Sequence, residues 1–412
     1  MNTPSPSFYH TNDPIALVEK YESPLYIYNE NILRKQCKDM VDLCSYPNFK
    51  VNYAMKANTN IHLIKIIHEE GLKIDASSQG EVVSAMVAGV KTSDIMFIVN
   101  NVSSKELQYA IDLGITISVD SLSQLERYGK LNPGGEICLR FNSGIGGGHH
   151  EKVITCGDGT KFGIMPDDII AVKSILKKYN LKLIGINHHI GSQNWGDLFL
   201  SGAAELLALA KNFPDLEFID LGGGFAIPYK KQEGEQPIDL QMLGSKLDEF
   251  MYEFSKSYGK QITFIIEPGR YIVAECGVLL GTVNAVKTCG QVKYAGTDLG
   301  FSVFARTTLY DAHHDIEIYS NRVSIAEQKE VTNIVGNQCE SGDYIAKNRL
   351  LPKLHEDDIL SVMDAGAYGY SMASQYNNRP RPAEILIQSD GTAKLIRRRE
   401  TFFEDFIDTM NI

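Results

Sequence analysis

Through the first two thirds of the chain, apolar positions alternate between two textures. Near-continuous apolar runs fall at 49–55, 72–76, 95–99, 115–119, 136–142, 181–190, 216–221 and 262–267. Between them lie segments whose apolar residues recur at helical spacing, among them 31–44, 60–70, 80–88, 166–179, 198–212 and 238–257. The punctuation agrees with this division. Thr59 or Asn60 can cap the helix before Gly71, Ser103-x-x-Glu106 is a capping box whose helix stops at Gly114, and Ser121-x-x-Gln124 opens another. A strand that is apolar at nearly every position is one covered on both faces, and strands alternating with helices predict a parallel sheet. Eight such units over about 250 residues predict a closed (β/α)8 barrel. An open doubly wound sheet would show the same alternation. The barrel is preferred because polar residues of unusual chemistry stand at the ends of many strands, where a barrel builds its site.

Beyond Glu275 the texture changes. Short strand-like runs at 278–286, 292–295, 315–319, 330–335, 359–363 and 383–388 follow one another without long helices. Gln388-Ser389-Asp390-Gly391-Thr392 is a hairpin signal leading into 393–397. The expected division is an α/β barrel over 30–275 and a mainly β domain over 276–412. Residues 24–28, from the segment 1–29, are expected to add a strand to the second.

Composition narrows the function classes. A chain of 412 residues with 43% hydrophobic and 22% charged positions has an ordinary globular balance. A net charge of -11 argues against a nucleic-acid partner. No apolar run is long enough to span a bilayer, and the first fourteen residues lack the basic and apolar regions of a signal peptide. Seven cysteines without a Cys-x-x-Cys pair fit a reducing compartment, so a cytoplasmic location is expected. Gly146-Gly147-Gly148-His149-His150 invites a metal reading, but no carboxylate or cysteine stands at ligand spacing, so no metal is expected.

Lys56, at the exit of the first strand, is expected to lie among apolar neighbours, where lost solvation lowers its pKa and frees its amine to attack a carbonyl. Asp75 closes the second strand, Arg140 lies in the fifth, and His189 near the end of the sixth precedes Ile190-Gly191-Ser192-Gln193. The seventh strand runs into Gly222-Gly223-Gly224-Phe225, and the eighth ends in Ile266-Glu267-Pro268-Gly269-Arg270. Taken singly, each has a structural explanation: a solvated lysine, a cap, a satisfied histidine, a flexible loop. Together they put an amine, a flat aromatic, a buried acid and an anion cradle on one rim. Consecutive glycines let backbone N–H groups converge on a phosphate, and an acid such as Glu267 can keep a heterocyclic nitrogen protonated.

These motifs, with Tyr53-Ala54-Met55-Lys56-Ala57-Asn58, Cys339-Glu340-Ser341-Gly342-Asp343, Gly366-Ala367-Tyr368 and the run from Tyr376 to Glu384, resemble the alanine-racemase-like, fold-type III pyridoxal phosphate decarboxylases. Within them the chain is most similar to the diaminopimelate decarboxylase branch. The resemblance implies pyridoxal 5'-phosphate as cofactor, anchored covalently by Lys56, with Asp75 also among the cofactor-binding residues. It implies that His189 stacks on the ring, Glu267 pairs with its nitrogen and Arg140 lies nearby. Ser192, Gly222, Gly223, Gly224, Arg270 and Tyr368 would surround the phosphate, with Arg270 and Tyr368 also touching substrate. Arg306 and Tyr310 would clamp a distal carboxylate, although Thr307 stands where the family usually has proline. Glu340 would grip a distal amine, and Cys339 would enter a neighbouring subunit's site as proton donor, implying a homodimer with shared sites. The implied reaction is decarboxylation of meso-2,6-diaminopimelate to L-lysine. Related decarboxylations of D-ornithine, D-lysine or a carrier-bound glutamyl group remain open, as does a non-catalytic cofactor-binding protein.

Overall fold

The computed structural model describes residues 6–148, 150–157, 159–193, 195–322, 328–403 and 407. The chain divides into two compact units, one comprising Arg34–Ile227 and Pro237–Ile272, the other Met1–Leu33, Pro228–Gln236 and Val273–Ile412.

The first unit is a closed, all-parallel barrel of eight strands: Phe49–Ala54, Lys73–Ala76, Ile95–Ile98, Thr116–Val119, Glu136–Arg140, Lys182–Asn187, Phe218–Asp220 and Thr263–Ile266. The last pairs with the first, Ile265 opposite Lys50, and closes the ring. The strands are buried almost throughout, as their apolar runs require. The predicted helix starts form from the expected side chains. Asn60, rather than Thr59, caps Ile61–Glu69 by accepting from His62 N, and Ser103 with Glu106 completes its capping box. Ser121 accepts from Gln124 N at the head of Leu122–Leu131. Because each cap follows a strand's C-terminal end, the caps and the strand-end side chains share one rim.

Six of the eight observed strands stop earlier than their apolar runs do. The sixth ends at Asn187, so His189 lies two residues beyond it in irregular chain rather than within the strand. The glycine-rich stretch after the fifth strand, read as a loop, contributes a two-residue strand, Gly147–Gly148, paired in parallel with Gly191–Ser192. His149 lies outside the described residues.

The second unit is built on a nine-stranded sheet. Leu25–Asn29 joins it as anticipated, antiparallel to Gly277–Cys289 and parallel to Ala383–Ile387. The hairpin through Gly391 forms, with Ala383–Ile387 antiparallel to Ala393–Arg397. One strand, Tyr344–Pro352, escapes the sequence pattern. Its alternation is broken by Lys347-Asn348-Arg349, yet it pairs along Lys329–Val335. Two N-terminal helices, Pro6–Tyr9 and Pro14–Tyr21, were likewise not anticipated. Phe8, Tyr9 and Leu17 pack with Leu25, Ile27, Val278 and Ile385 into this unit's core.

Candidate active site

The barrel's C-terminal rim gathers Lys56, Asp75, Arg140, His189, Ser192, Gly222, Gly223, Gly224, Glu267 and Arg270, each at the end of a strand or in the turn that follows it. Lys56 departs from expectation in its surroundings. It sits in a single 3-10 turn, Met55–Ala57, with its side chain 42% exposed, not enclosed by apolar groups. Its Nζ lies 3.2 Å from Oδ2 of the buried Asp75. An ion pair with a buried carboxylate, rather than an apolar wall, therefore aims the amine into the mouth of the barrel.

Glu267 is a buried acid of the rim. It is 5% exposed, and Oε1 finds no donor among the described residues. Burial, reinforced by Asp220 and Asp75, pushes its carboxyl well above the usual carboxylate range. Asp220, fully buried at the end of the seventh strand, lies within hydrogen-bond reach of Glu267, and burial raises it to about 7. Asp220 Oδ2 also lacks a donor, while Oδ1 accepts from Gly222 N at 2.9 Å. With one oxygen of each lacking a donor among the described residues, the two facing carboxyls satisfy each other by sharing a proton. Arg140 faces Glu267, Asp120 and Asp75, each of which opposes the lowering that burial imposes on its guanidinium.

His189 is held neutral. Burial, then Lys56 and Arg140, pulls its imidazole well below the usual value. Gly223 N donates to its Nδ1 at 3.2 Å, and Thr155 Oγ1 donates to its backbone carbonyl at 2.8 Å. The ring is an uncharged flat face with its tautomer set by the glycine turn, with the proton on Nε2. Beside it, His188 is also neutral, lowered to about 3 by burial, its Nδ1 3.0 Å from Ser143 Oγ.

The glycine turn is a cradle that no side chain could share. Gly222 has a φ of +70°, and a Cβ there would stand 2.3 Å from the carbonyl oxygen of His188. A Cβ on Gly223 would stand 1.9 Å from the carbonyl oxygen of Glu267. Across the rim, Arg270 Nη2 donates to Ser192 Oγ at 2.7 Å, which places a cation and a hydroxyl together. Gly223→Ala should force the Glu267 backbone away, destabilising the protein by roughly 3 kcal/mol and abolishing cofactor retention. Retention of cofactor after dialysis, at wild-type melting temperature, would show that the cradle does not need this close approach.

In the second unit, Arg306 and Tyr310 share the short helix Arg306–Tyr310. Arg306 is 1% exposed, its Nε donates to His314 Nε2 at 3.2 Å, and its guanidinium lies 5.0 Å over the Tyr229 ring. Tyr368 is half-buried with a φ of +55°, a left-handed conformation that a tyrosine holds only under constraint from its surroundings. Cys339 and Glu340 are exposed neighbours. Among the described residues no group of His, Cys, Asp or Glu could hold a metal ion, and no helix is long and apolar enough to cross a membrane.

Sequence reasoning passed over Asp220 and His188. Both were visible in principle: Asp220 directly precedes Leu221 and the glycine triplet, and His188 directly precedes His189. Asp220 closes the seventh strand, whereas His188 follows the sixth and was overshadowed by the His189 motif beside it.

A lysine poised beside a buried acid, a neutral imidazole face, an acid with an orphan oxygen and a glycine phosphate cradle on one barrel rim define a pyridoxal phosphate enzyme. Residues 30–274 match the family model described as the pyridoxal binding domain of pyridoxal-dependent decarboxylases, and the chain belongs to that family. It is 38% identical over 410 residues to the diaminopimelate decarboxylase of Methanothermobacter thermautotrophicus, covering 97% of this chain and 94% of that one. It superposes on a solved diaminopimelate decarboxylase with a TM-score of 0.90, at 31% identity over 96% of both chains. With the Helicobacter pylori diaminopimelate decarboxylase complexed with L-lysine the TM-score is 0.88, at 27% identity, covering 97% of this chain and 100% of that one.

Proposed function

We propose that the chain decarboxylates meso-2,6-diaminopimelate to L-lysine and carbon dioxide, with pyridoxal 5'-phosphate as cofactor, as a cytoplasmic enzyme of amino-acid biosynthesis. The observation that carries this reading is the barrel rim just described, together with near-full-length similarity to diaminopimelate decarboxylases. The residues fit the cofactor. The glycine turn leaves room for phosphate, Arg270 and Ser192 stand ready for its charge, and Glu267 Oε1 awaits a partner. Bound there, the cofactor supplies an electron sink for the pair left behind as carbon dioxide departs.

The chain's own residues do the rest. Lys56 would anchor the cofactor through its amine, which Asp75 keeps aimed. Glu267 would hold the pyridine nitrogen, His189 would cover the ring face without adding charge, and Arg140 would lie beside them. Tyr368 would contact the phosphate and the substrate. Arg306 and Tyr310 take the distal carboxylate and Glu340 the distal amine. Cys339 returns a proton to the carbon that lost its carboxylate. This reading places Cys339 and Glu340, which are exposed on their own subunit, in the site of a second copy, in a homodimer with shared active sites.

The test offers meso-diaminopimelate, D-ornithine, D-lysine, L-ornithine and L-arginine to purified protein with added cofactor. Lysine and carbon dioxide formed from diaminopimelate alone is the expected outcome. Turnover of another substrate in its place would overturn the assignment of Arg306 and Glu340. Arg306→Lys keeps a positive charge but loses the planar fork and the bond to His314. It should raise KM for diaminopimelate roughly tenfold or more, the worth of a charged hydrogen bond, with cofactor absorbance unchanged. An unchanged KM would remove Arg306 from the clamp.

A further inference from the structure

The exposed pair Cys339–Glu340 is held by a neighbouring segment to which no role has yet been given. Tyr376 Oη donates to Glu340 Oε1 at 2.6 Å and lies 3.9 Å from Cys339 Sγ. Asn377 Nδ2 donates to Cys339 Sγ at 3.3 Å, and Cys339 N donates back to Asn377 Oδ1 at 3.4 Å. Two adjacent residues thus grip two adjacent residues.

The grip is braced from both sides. Phe301 packs on the Tyr376 ring at 5.2 Å between centroids. The carboxylate of the buried Asp343 accepts from Phe301 N at 2.7 Å and from Gln338 N at 2.8 Å, tying the turn that carries Cys339 to the segment that carries Phe301. Asn377 and Asn378 both stand at positive φ, 57° and 53°, where asparagine is among the few side chains tolerated. That backbone turns both Tyr376 and Asn377 toward the Cys339–Glu340 pair.

Stability does not account for such an arrangement. A hydrogen bond to a solvent-exposed carboxylate returns little folding energy, since water competes for both partners. What it does secure is orientation. A glutamate side chain in water samples many rotamers, and fixing one beforehand removes that entropy from the binding step.

We propose that Tyr376 is a positioning residue for the distal end of the substrate. Its hydroxyl fixes the Glu340 carboxylate in the orientation that receives the distal ammonium, and Asn377 fixes Cys339 in step with it. The inference rests on the assignment of Glu340 made above.

Calorimetric binding of L-lysine to the cofactor-loaded dimer tests it without turnover, because lysine carries the amine assigned to Glu340. The control ligand is 6-aminohexanoate, which keeps the carboxylate and the chain but lacks that amine. Tyr376→Phe preserves the ring against Phe301. It should weaken lysine binding about tenfold, the worth of one charge-assisted hydrogen bond, and leave 6-aminohexanoate unchanged. Combined with Glu340→Gln, the loss should be no greater than for Glu340→Gln alone, as expected of residues acting through one contact. If Glu340→Gln weakens lysine binding and Tyr376→Phe does not, or if Tyr376→Phe weakens both ligands alike, the positioning role is overturned. If Glu340→Gln leaves lysine binding intact, the assignment of Glu340 fails first and the role of Tyr376 falls with it.

Discussion

Lys56→Ala is expected to reduce decarboxylation to the background rate, a loss of at least roughly 10^3-fold, since this side chain is the nucleophile on which the covalent chemistry depends. The absorbance of covalently held cofactor should vanish with it. A second effect follows from Asp75, which is buried with Oδ2 on the lysine and Oδ1 without a donor among the described residues. Removing the cation strands that charge, so the cofactor-free protein should lose about 1–2 kcal/mol, a figure reduced because Lys56 is partly exposed. Lys56→Arg separates the two effects. A guanidinium restores the charge opposite Asp75 but is too weak a nucleophile to bond the cofactor, so stability should recover while turnover stays at background. Substantial turnover by either variant would remove Lys56 from the chemistry. Equal stability of the Ala and Arg variants would mean that Asp75 does not depend on the pair.

The Lys56–Asp75 pair also shows how far the sequence reaches. That Lys56 leaves a strand at the rim follows from the apolar run before it and the Asn60 cap after it, both local signals. That its neighbour is a carboxylate does not. Asp75 is one strand over, and only the barrel register, Ala54 opposite Asp75, brings them together. The same distinction explains the other differences. Eight strands and their order could be read because the helix starts at Asn60, Ser103 and Ser121 carry their own caps and each strand its own apolar run. Tyr344–Pro352 could not, because its place is fixed by pairing with Lys329–Val335 rather than by its own alternation. Asp220 and Glu267 are 47 positions apart in sequence, and nothing local says that they meet. The Tyr376–Glu340 contact is of the same kind: both lie in quoted motifs, but their partnership belongs to the folded chain.

Glu267→Gln is expected to move activity and stability in opposite directions. In the cofactor-free protein the Asp220–Glu267 pair keeps a proton that the unfolded chain would release, because burial raises Asp220 to about 7 and Glu267 well above its usual range. Unfolded carboxyls titrate near 4, so between pH 4 and 7 the folded state binds more protons than the unfolded one. Stability from this pair is therefore full at low pH and lost as pH rises toward 7. Asp364, also raised to about 7 by burial, adds the same slope to wild type and variant and cancels in the difference. A glutamine in place of Glu267 offers an amide N–H to Asp220, which can then ionise with a donor beside it. The variant should melt higher than wild type at pH 8 and about equally at pH 5. The amide, however, has no proton to give the pyridine nitrogen. The ring then draws electrons less strongly, and turnover should fall by roughly 10^2–10^3-fold, the usual effect of removing one electrostatic stabiliser. Melting curves that run parallel across this range would show that the two acids do not share a proton. Turnover within a few-fold of wild type would show that the ring needs no acid there. A stability gain paired with an activity loss, by contrast, identifies Glu267 as strain retained in the fold for the sake of the chemistry.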